Sequence, residues 1–479
     1  MRLFHPISWK SCTPLASRPF CVAKGVLMRS RGRSVLTFTS VAVLALAFSC
    51  IGRPTYVQSN PAVKNEEHRS GDWSEEIEKN SNHMLEEGRQ IFRHDTFGSE
   101  AFWSGKLRLN EAIAGQRFGG VGHGLEPKDA LKLGLKVDTG VLPKILGEAI
   151  KGGSVDLGDV KTTMELLKAD AVVGVHAWFE GDKLVKVGIT CAICHTTVDD
   201  SLMKGIGRRL DGWPNRDLDV GAIVSLSPDL SFYQQLLGVD RATVEKVLKS
   251  WGPGKYDAEL NQDGKAFRPD GKSAATTIPA AFGLAGVHLH TYTGWGSVTY
   301  WNAYVANTQM QGSGTFFDPR INAARGFAIG EKAGFNNLRR TPDLVTPKLA
   351  ALHYYQLSIP APKPKSDSYN HEAAARGEAL FNSKATCARC HVPPLFTEPG
   401  WGMHTAAEIG IDNFQAERSP DKMYRTTPLH GLFVRAKPGF YHDGRFADYR
   451  AVVDHYDSHL RLGLTEQEKN DLIEYLKSL

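Results

Sequence analysis

Two five-residue stretches carry the groups best able to do chemistry, Cys191-Ala192-Ile193-Cys194-His195 and Cys387-Ala388-Arg389-Cys390-His391. Both read CxxCH. Two thiols three positions apart can each form a thioether with one vinyl group of a haem, and the histidine that follows is then placed to ligate the iron. The pattern predicts two covalently bound haem c groups, attached through Cys191, Cys194, Cys387 and Cys390, with His195 and His391 as iron ligands. A redox-active dithiol does not need a histidine after its second cysteine. Two CxxC knuckles sharing one zinc would normally sit far closer in the chain than these do.

Helices must hold such motifs. One is expected to begin near Ser74, with Glu75 and Glu76 in its first turn, and to run through Gly88-Arg89-Gln90-Ile91-Phe92. Its end matches Gly377-Glu378-Ala379-Leu380-Phe381, and both read as the opening helix of a cytochrome c fold. Cys387 follows Phe381 by six residues, whereas Cys191 follows Phe92 by ninety-nine. An insertion at about 93–185 is therefore expected before the first haem. Within it Val141–Ile150 and Thr162–Leu167 read as short helices, and Ala171–Val175 as a strand or buried segment. Gly119 to Gly124 lacks the spacing of a dinucleotide or phosphate loop and reads as a flexible loop over the haem region.

Further along, Arg241–Ser250 looks helical, and Asp257–Gly264 reads as a turn because it lacks the glycine that an EF-hand needs at its sixth position. Pro347–Leu357 also looks helical, with Thr346 as N-cap and Pro347 where its missing amide costs nothing. Pro360, Pro362 and Pro364 cannot continue that helix and favour an extended linker. At the C-terminus Thr465 and Glu468 form a capping box, and Leu472, Tyr475, Leu476 and Leu479 share one helical face. The expected fold is mainly α: two tandem cytochrome c-like haem domains at 73–357 and 371–479, the first with the large insertion, joined by a Pro-rich linker at 358–370.

Residues 1–50 hold seven basic side chains (Arg2, Lys10, Arg18, Lys24, Arg29, Arg31, Arg33) and no acidic one. Without them the formal charge of +5 becomes about −2, so the basic balance gives no reason to expect a nucleic-acid partner. Met28 to Arg33 is a positively charged start, and Val35 to Ser49 is an apolar run too short to span a bilayer comfortably. Residues 1–50 are expected to be an export signal, with Met28 as a possible true start, and 51–72 a flexible tether. A periplasmic or otherwise exported bacterial protein follows. Cys50 after Ala47-Phe48-Ser49 loosely resembles a lipoprotein cleavage site, the one expected route to a membrane. Of seven cysteines, Cys12, Cys21 and Cys50 lie in or beside this leader and four in the CxxCH motifs, which leaves none for a structural disulfide.

Two haem motifs in tandem, followed by Thr427-Pro428-Leu429-His430-Gly431-Leu432 and Phe440-Tyr441-His442-Asp443-Gly444-Arg445-Phe446, resemble the di-haem cytochrome c peroxidase superfamily. That superfamily includes the MauG-type enzymes and, more distantly, the haem rubber oxygenases. In the first half, Thr277-Ile278-Pro279-Ala280-Ala281-Phe282 and then Gly294-Trp295-Gly296 resemble the segment that places a tryptophan between the haems. The resemblance implies that the C-terminal haem takes electrons from a small donor protein, that the N-terminal haem meets hydrogen peroxide or oxygen, and that Trp295 helps the electron cross.

It also bears on the sixth ligands. The segment 446–456 resembles the one carrying the distal ligand of the C-terminal haem, which implies His455, with Met423 as the alternative. Met403, His404, His430, His442 and His459 are the other nearby candidates. For the N-terminal haem, His288 and His290 flank the Trp295 segment and would share a face if the stretch is extended. Family peroxidases carry a Glu-Met pair whose carboxylate moves peroxide protons, where this chain has Gln309-Met310. An amide cannot act as acid or base near neutral pH, which weakens peroxidase chemistry at that position. The leading expectation is an exported di-haem cytochrome that reduces peroxide or performs a related oxidation at the N-terminal haem. A non-catalytic electron-transfer cytochrome and an oxygenase for an apolar substrate remain as alternatives, and calcium between the domains is left open.

Overall fold

Trp73–His94 forms one helix, with Glu75 and Glu76 in its first turn, Arg93 and His94 in its last, and Gly88, Ile91 and Phe92 buried. It packs against the helix Leu349–Ser358. The crossing is so close that a Cβ on Gly88 would stand 2.0 Å from the Ala351 carbonyl oxygen. The second half repeats the arrangement: the helix His371–Phe381 packs against Glu466–Ser478, and a Cβ on Gly377 would lie 2.0 Å from the Asp471 carbonyl oxygen. The shared Gly-x-x-[Ile/Leu]-Phe pattern thus encodes a helix crossing, glycine for close approach and phenylalanine for the buried face. The structure is a computed structural model that describes residues 73–479; the expected export signal, Met28, Cys50 and the 51–72 tether lie outside the described residues.

Helix predominates and the fold is mainly α. The strands form five two-stranded ladders, four antiparallel and one parallel pair, Val137–Asp138 with Ile206–Gly207, among the described residues. Between His94 and Cys191 lie the helices Lys144–Lys151 and Val160–Lys168, close to expectation, and then the buried stretch Ala171, Val172 and Val173. A hairpin of Val175–Glu180 and Lys183–Ile189 follows. Its two-residue Gly181-Asp182 turn is a hairpin signal that the sequence reading passed over. The Gly119–Gly124 loop does not cover the cavity described below. It folds back on its own neighbourhood, with Val121 bonded to the Glu111 carbonyl.

Three expectations shift in detail. The helix expected over 347–357 begins as a 3₁₀ turn at Thr346–Lys348, and its capping oxygens come from Asp343, which accepts from the Val345 and Thr346 amides. Asp257–Gly264 contains the short helix Leu260–Asp263 rather than only a turn. The proline segment after Ser358 is extended, yet it is packed: Ile359 is buried and accepts from the Gly283 amide. At the C-terminus the Thr465–Glu468 capping box is formed, and Leu472, Tyr475 and Leu479 are buried.

The described residues on both sides of the proline segment lie in one compact unit. Buried polar contacts join the two halves. Arg418 is fully buried and donates to Asp257 at 2.8 Å, to Asp263 at 2.8 and 3.0 Å and to the Ala274 carbonyl at 3.2 Å. Arg268 reaches Asp412 and Asp443, and the Thr277 amide donates to the His442 carbonyl at 2.6 Å.

In an ordinary helix interior Gly→Ala is stabilising by up to about 1 kcal/mol. At this crossing Gly377→Ala is expected to reverse that sign and cost about 1–3 kcal/mol, because the added methyl meets backbone that cannot yield. The midpoint of urea unfolding, compared with an Ala substitution at Gly147, where no atom lies within 4 Å, reads the difference.

Candidate functional site

Each CxxCH histidine is held in the same way. His195 Nδ1 donates to the Pro279 carbonyl at 3.1 Å, and His391 Nδ1 donates to the Phe396 carbonyl at 3.1 Å. A carbonyl only accepts, so Nδ1 carries the proton and Nε2 keeps its lone pair free, which is the tautomer a metal needs. Burial lowers the pKa of both rings, that of His195 to about 4, which keeps them neutral. The first motif is further fixed through its carbonyls, with the Gly212 amide on His195 and the Asn215 amide on Cys194. Asp211, one residue away, binds Arg93 of the opening helix and Tyr355 of the closing helix at 2.6 Å each, and Thr196 at 3.0 Å. The motif is therefore docked on the helix pair.

Both motifs line one cavity of about 800 Å3, and Cys191, Cys194, His195, Cys387, Cys390 and His391 all belong to its wall. The four thiols are free, and burial pushes Cys191 and Cys194 up to about 12 and Cys387 to about 11. Such thiols are poor thiolates, the opposite of what a reactive dithiol requires. One trio of potential metal ligands occurs among the described residues, Cys390 with Glu398 and His404. His404 already bonds Glu398 at 2.6 Å, and the first motif has no matching trio, so a bare metal site would explain one CxxCH and leave its twin unexplained.

The cavity wall also holds three guanidiniums with no carboxylate partner among the described residues, the buried Arg216 and the half-buried Arg425 and Arg435. Arg425 donates only to the Thr291 and Leu289 carbonyls, Arg435 to the Pro428 carbonyl, and Arg216 Nε and Nη1 have no partner. Burial lowers Arg425 to about 9 and Arg435 to about 10. Buried cations without counter-charge are costly, so this wall is built to receive an anionic ligand. Haem carries two carboxylates on an apolar ring, and the residues present fit it.

The residues expected as distal groups fall in different places around the cavity. His455 is not in the cavity wall, and its Nε2 bonds the Ile409 carbonyl at 2.9 Å. The next residue of that helix, Tyr456, does line the cavity, close enough to Cys387 and Cys390 to interact with both electrostatically. Met403, Met423, His430 and His459 also lie outside the wall, whereas His404 and His442 are in it. His288 is exposed against Trp401 while His290 is buried on the cavity, because the stretch forms bends rather than a strand and the two side chains diverge. Trp295 is buried in an aromatic cluster with Tyr300, Trp301, Tyr304 and Phe327, away from the wall; its neighbour Trp301 lines the cavity instead.

Between the two histidines runs a polar seam that the sequence did not single out. Thr277, two residues before Pro279, bonds the Tyr292 hydroxyl, and the Tyr292 carbonyl accepts from the Arg425 amide, two residues before Thr427. Gln309 and Met310 both line the cavity, and Gln309 donates to the Ala258 carbonyl at 3.3 Å. That contact brings Gln309 beside Glu259, a cavity residue the sequence reading also missed. Glu259 is 5% exposed, and its Oε2 has no partner. Burial raises Glu259 to about 7 and Asp257 to about 6 against the opposing pull of Arg418. Arg418 bonds Asp257 and Asp263 directly, and of Asp257 and Glu259 it is Glu259 that burial raises further.

No family model matches the chain. A stretch of 122 residues, 22% of this chain, is 30% identical to the methylamine utilization protein MauG of Methylorubrum extorquens. It covers 34% of that protein, so the chain spans about a third of the length of the curated relative it matches. Among solved structures, hydrazine synthase of Kuenenia stuttgartiensis pressurised with xenon covers 49% of this chain and 92% of its own, at 18% identity and a TM-score of 0.25. That superposition carries no argument about the fold. The partial match to MauG agrees with the resemblance carried by the motifs, at the level of a distant relation to haem-related redox proteins.

A carboxyl whose pKa is raised on folding stabilises the folded state fully below the ordinary carboxylate range, and that contribution is lost as pH rises through the raised value. Stability is accordingly expected to fall between about pH 4 and pH 7, and Glu259→Gln to flatten that slope. Urea unfolding measured across this range tests it.

Proposed function

We propose that this chain is an exported di-haem c-type cytochrome with redox activity, which reduces peroxide or performs a related oxidation at the N-terminal haem with electrons arriving through the C-terminal one. The observation that carries the reading is the pair of CxxCH histidines, each presenting Nε2 to a shared cavity whose arginines lack counter-charges. Cys191 and Cys194 would hold one haem by thioethers with His195 on its iron, and Cys387, Cys390 and His391 the other. When bound, the haem irons supply the one-electron and oxygen-ligand chemistry. The protein's own groups do the rest. Arg216, Arg425 and Arg435 would pair with propionates, and the two backbone carbonyls orient the imidazoles and raise their basicity. Tyr456, on the cavity wall one residue after His455, would be the side chain available to the C-terminal haem, and Tyr292 and Trp301 are aromatics of the same wall. Export rests on the leader at 28–49 and on the need to attach haem c outside the cytoplasm. The donor is a small redox protein.

The absorption spectrum of the purified holoprotein tests this. A high-spin component that binds cyanide or carbon monoxide is expected. Two low-spin haems in every redox state would instead favour the non-catalytic electron-transfer reading. Tyr456→Phe should shift the C-terminal haem spectrum and its reduction potential by removing an oxygen donor from the cavity wall, while His455→Ala leaves both unchanged; the reverse pattern would restore His455 as ligand.

A further inference from the structure

We propose that Glu259 is the proton-exchanging group of the cavity, taking the proton from a small weakly acidic ligand, such as a peroxide, as that ligand enters. This rests on the reading above of an open N-terminal haem. The geometry places the residue. Glu259 stands just before the short helix Leu260–Asp263, three residues after Tyr256, which interacts electrostatically with Cys194. It lines the same cavity as the first motif, and it is one residue from the backbone carbonyl that holds Gln309. The amide at 309 cannot move a proton; the carboxyl beside it can.

The groups around Glu259 decide its state. Asp257 and Asp263 come from its own loop, Arg418 and Gln415 from the segment packed over it, and Tyr304 and Gln309 from the helix end on its other side. One guanidinium faces three carboxyls and bonds two of them, Asp257 and Asp263. Asp257 and Glu259 each keep an unpartnered oxygen, but of the three carboxyls only Glu259 lines the cavity, where burial raises it to about 7. The competing cavity groups are worse placed for this. His290 is bonded to the Val287 carbonyl and is held neutral by burial, with a pKa of about 3, and burial holds His442 to about 4. A base works best when its pKa lies near the working pH, and Glu259 alone meets that condition among these three.

The step is a simple proton transfer. The ligand HX gives its proton to the Glu259 carboxylate and remains in the cavity as X⁻; the resulting carboxylic acid returns the proton when the ligand leaves or is reduced. No electrons move in this step.

Hydrogen cyanide is the probe, because it binds ferric haem as the anion and must shed a proton. In the holoprotein its association rate is expected to rise with pH through Glu259's titration near neutrality. Glu259→Gln should lower that rate on the order of 10²-fold and remove the pH dependence, and Glu259→Asp should restore part of both. Infrared difference spectra should show a protonated carboxyl stretch that titrates in the same range and is missing from Glu259→Gln. A rate and pH profile unchanged in Glu259→Gln, or a carboxyl band that survives it, would overturn the inference. A wild-type protein that takes up no cyanide at any pH would overturn the open-haem reading itself, and the wild-type trace alone distinguishes that failure from one at Glu259.

Discussion

The bond from His195 Nδ1 to the Pro279 carbonyl is the contact on which the rest of the site depends. It spans eighty-four residues of sequence and does two things at once. It selects the tautomer that leaves Nε2 free, and it ties the first CxxCH to the segment 276–282. That segment is itself tied to the second half, through the Thr277 amide on the His442 carbonyl and the Thr277 hydroxyl on Tyr292. The position of one histidine is thereby coupled to the wall around the other, so that their separation and orientation are set by the scaffold rather than by each motif alone.

Charge is distributed unevenly around this frame. Where the halves meet, Arg418 is fully buried between Asp257 and Asp263, a pair of contacts whose value lies in specifying one docking geometry as much as in net stability. Along the cavity wall the balance is reversed: the buried Arg216 and the half-buried Arg425 and Arg435 have only carbonyls or no partner among the hydrogen bonds of the described residues. Protein interiors avoid that arrangement unless a ligand completes it. The same burial that makes these cations expensive also raises Glu259 to about 7, so one physical cause acts on both kinds of group in the cavity wall.

What could be read from the chain was local. The CxxCH motifs, the two Gly-x-x-[Ile/Leu]-Phe helix ends, the Thr465–Glu468 capping box and the helices near 144–151 and 160–168 all depend on spacing within a few residues, and backbone geometry translates such spacing directly into structure. The Gly181-Asp182 hairpin was legible in the same terms. Choices between neighbours were not. His455 and Tyr456 sit about 100° apart on one helix, and only the packing of that helix against the segment 408–411 turns the tyrosine inward and gives the histidine a carbonyl instead. Trp295 and Trp301 exchange places for a similar reason, since the aromatic cluster around Phe327 absorbs the first and leaves the second on the wall.

Glu259 marks the limit most clearly. Its neighbours in sequence suggest a polar turn, and nothing in their spacing signals a buried acid. Its chemistry comes from Arg418, Gln415, Tyr304 and Gln309, which arrive from distant parts of the chain. The sequence by itself determined where the two CxxCH motifs lie and which helices pair beside them, because motif spacing and helix capping act over a few residues. Only the tertiary structure decided that both motifs open on one cavity and which side chains line it, because burial and charge compensation depend on contacts that sequence separation does not record.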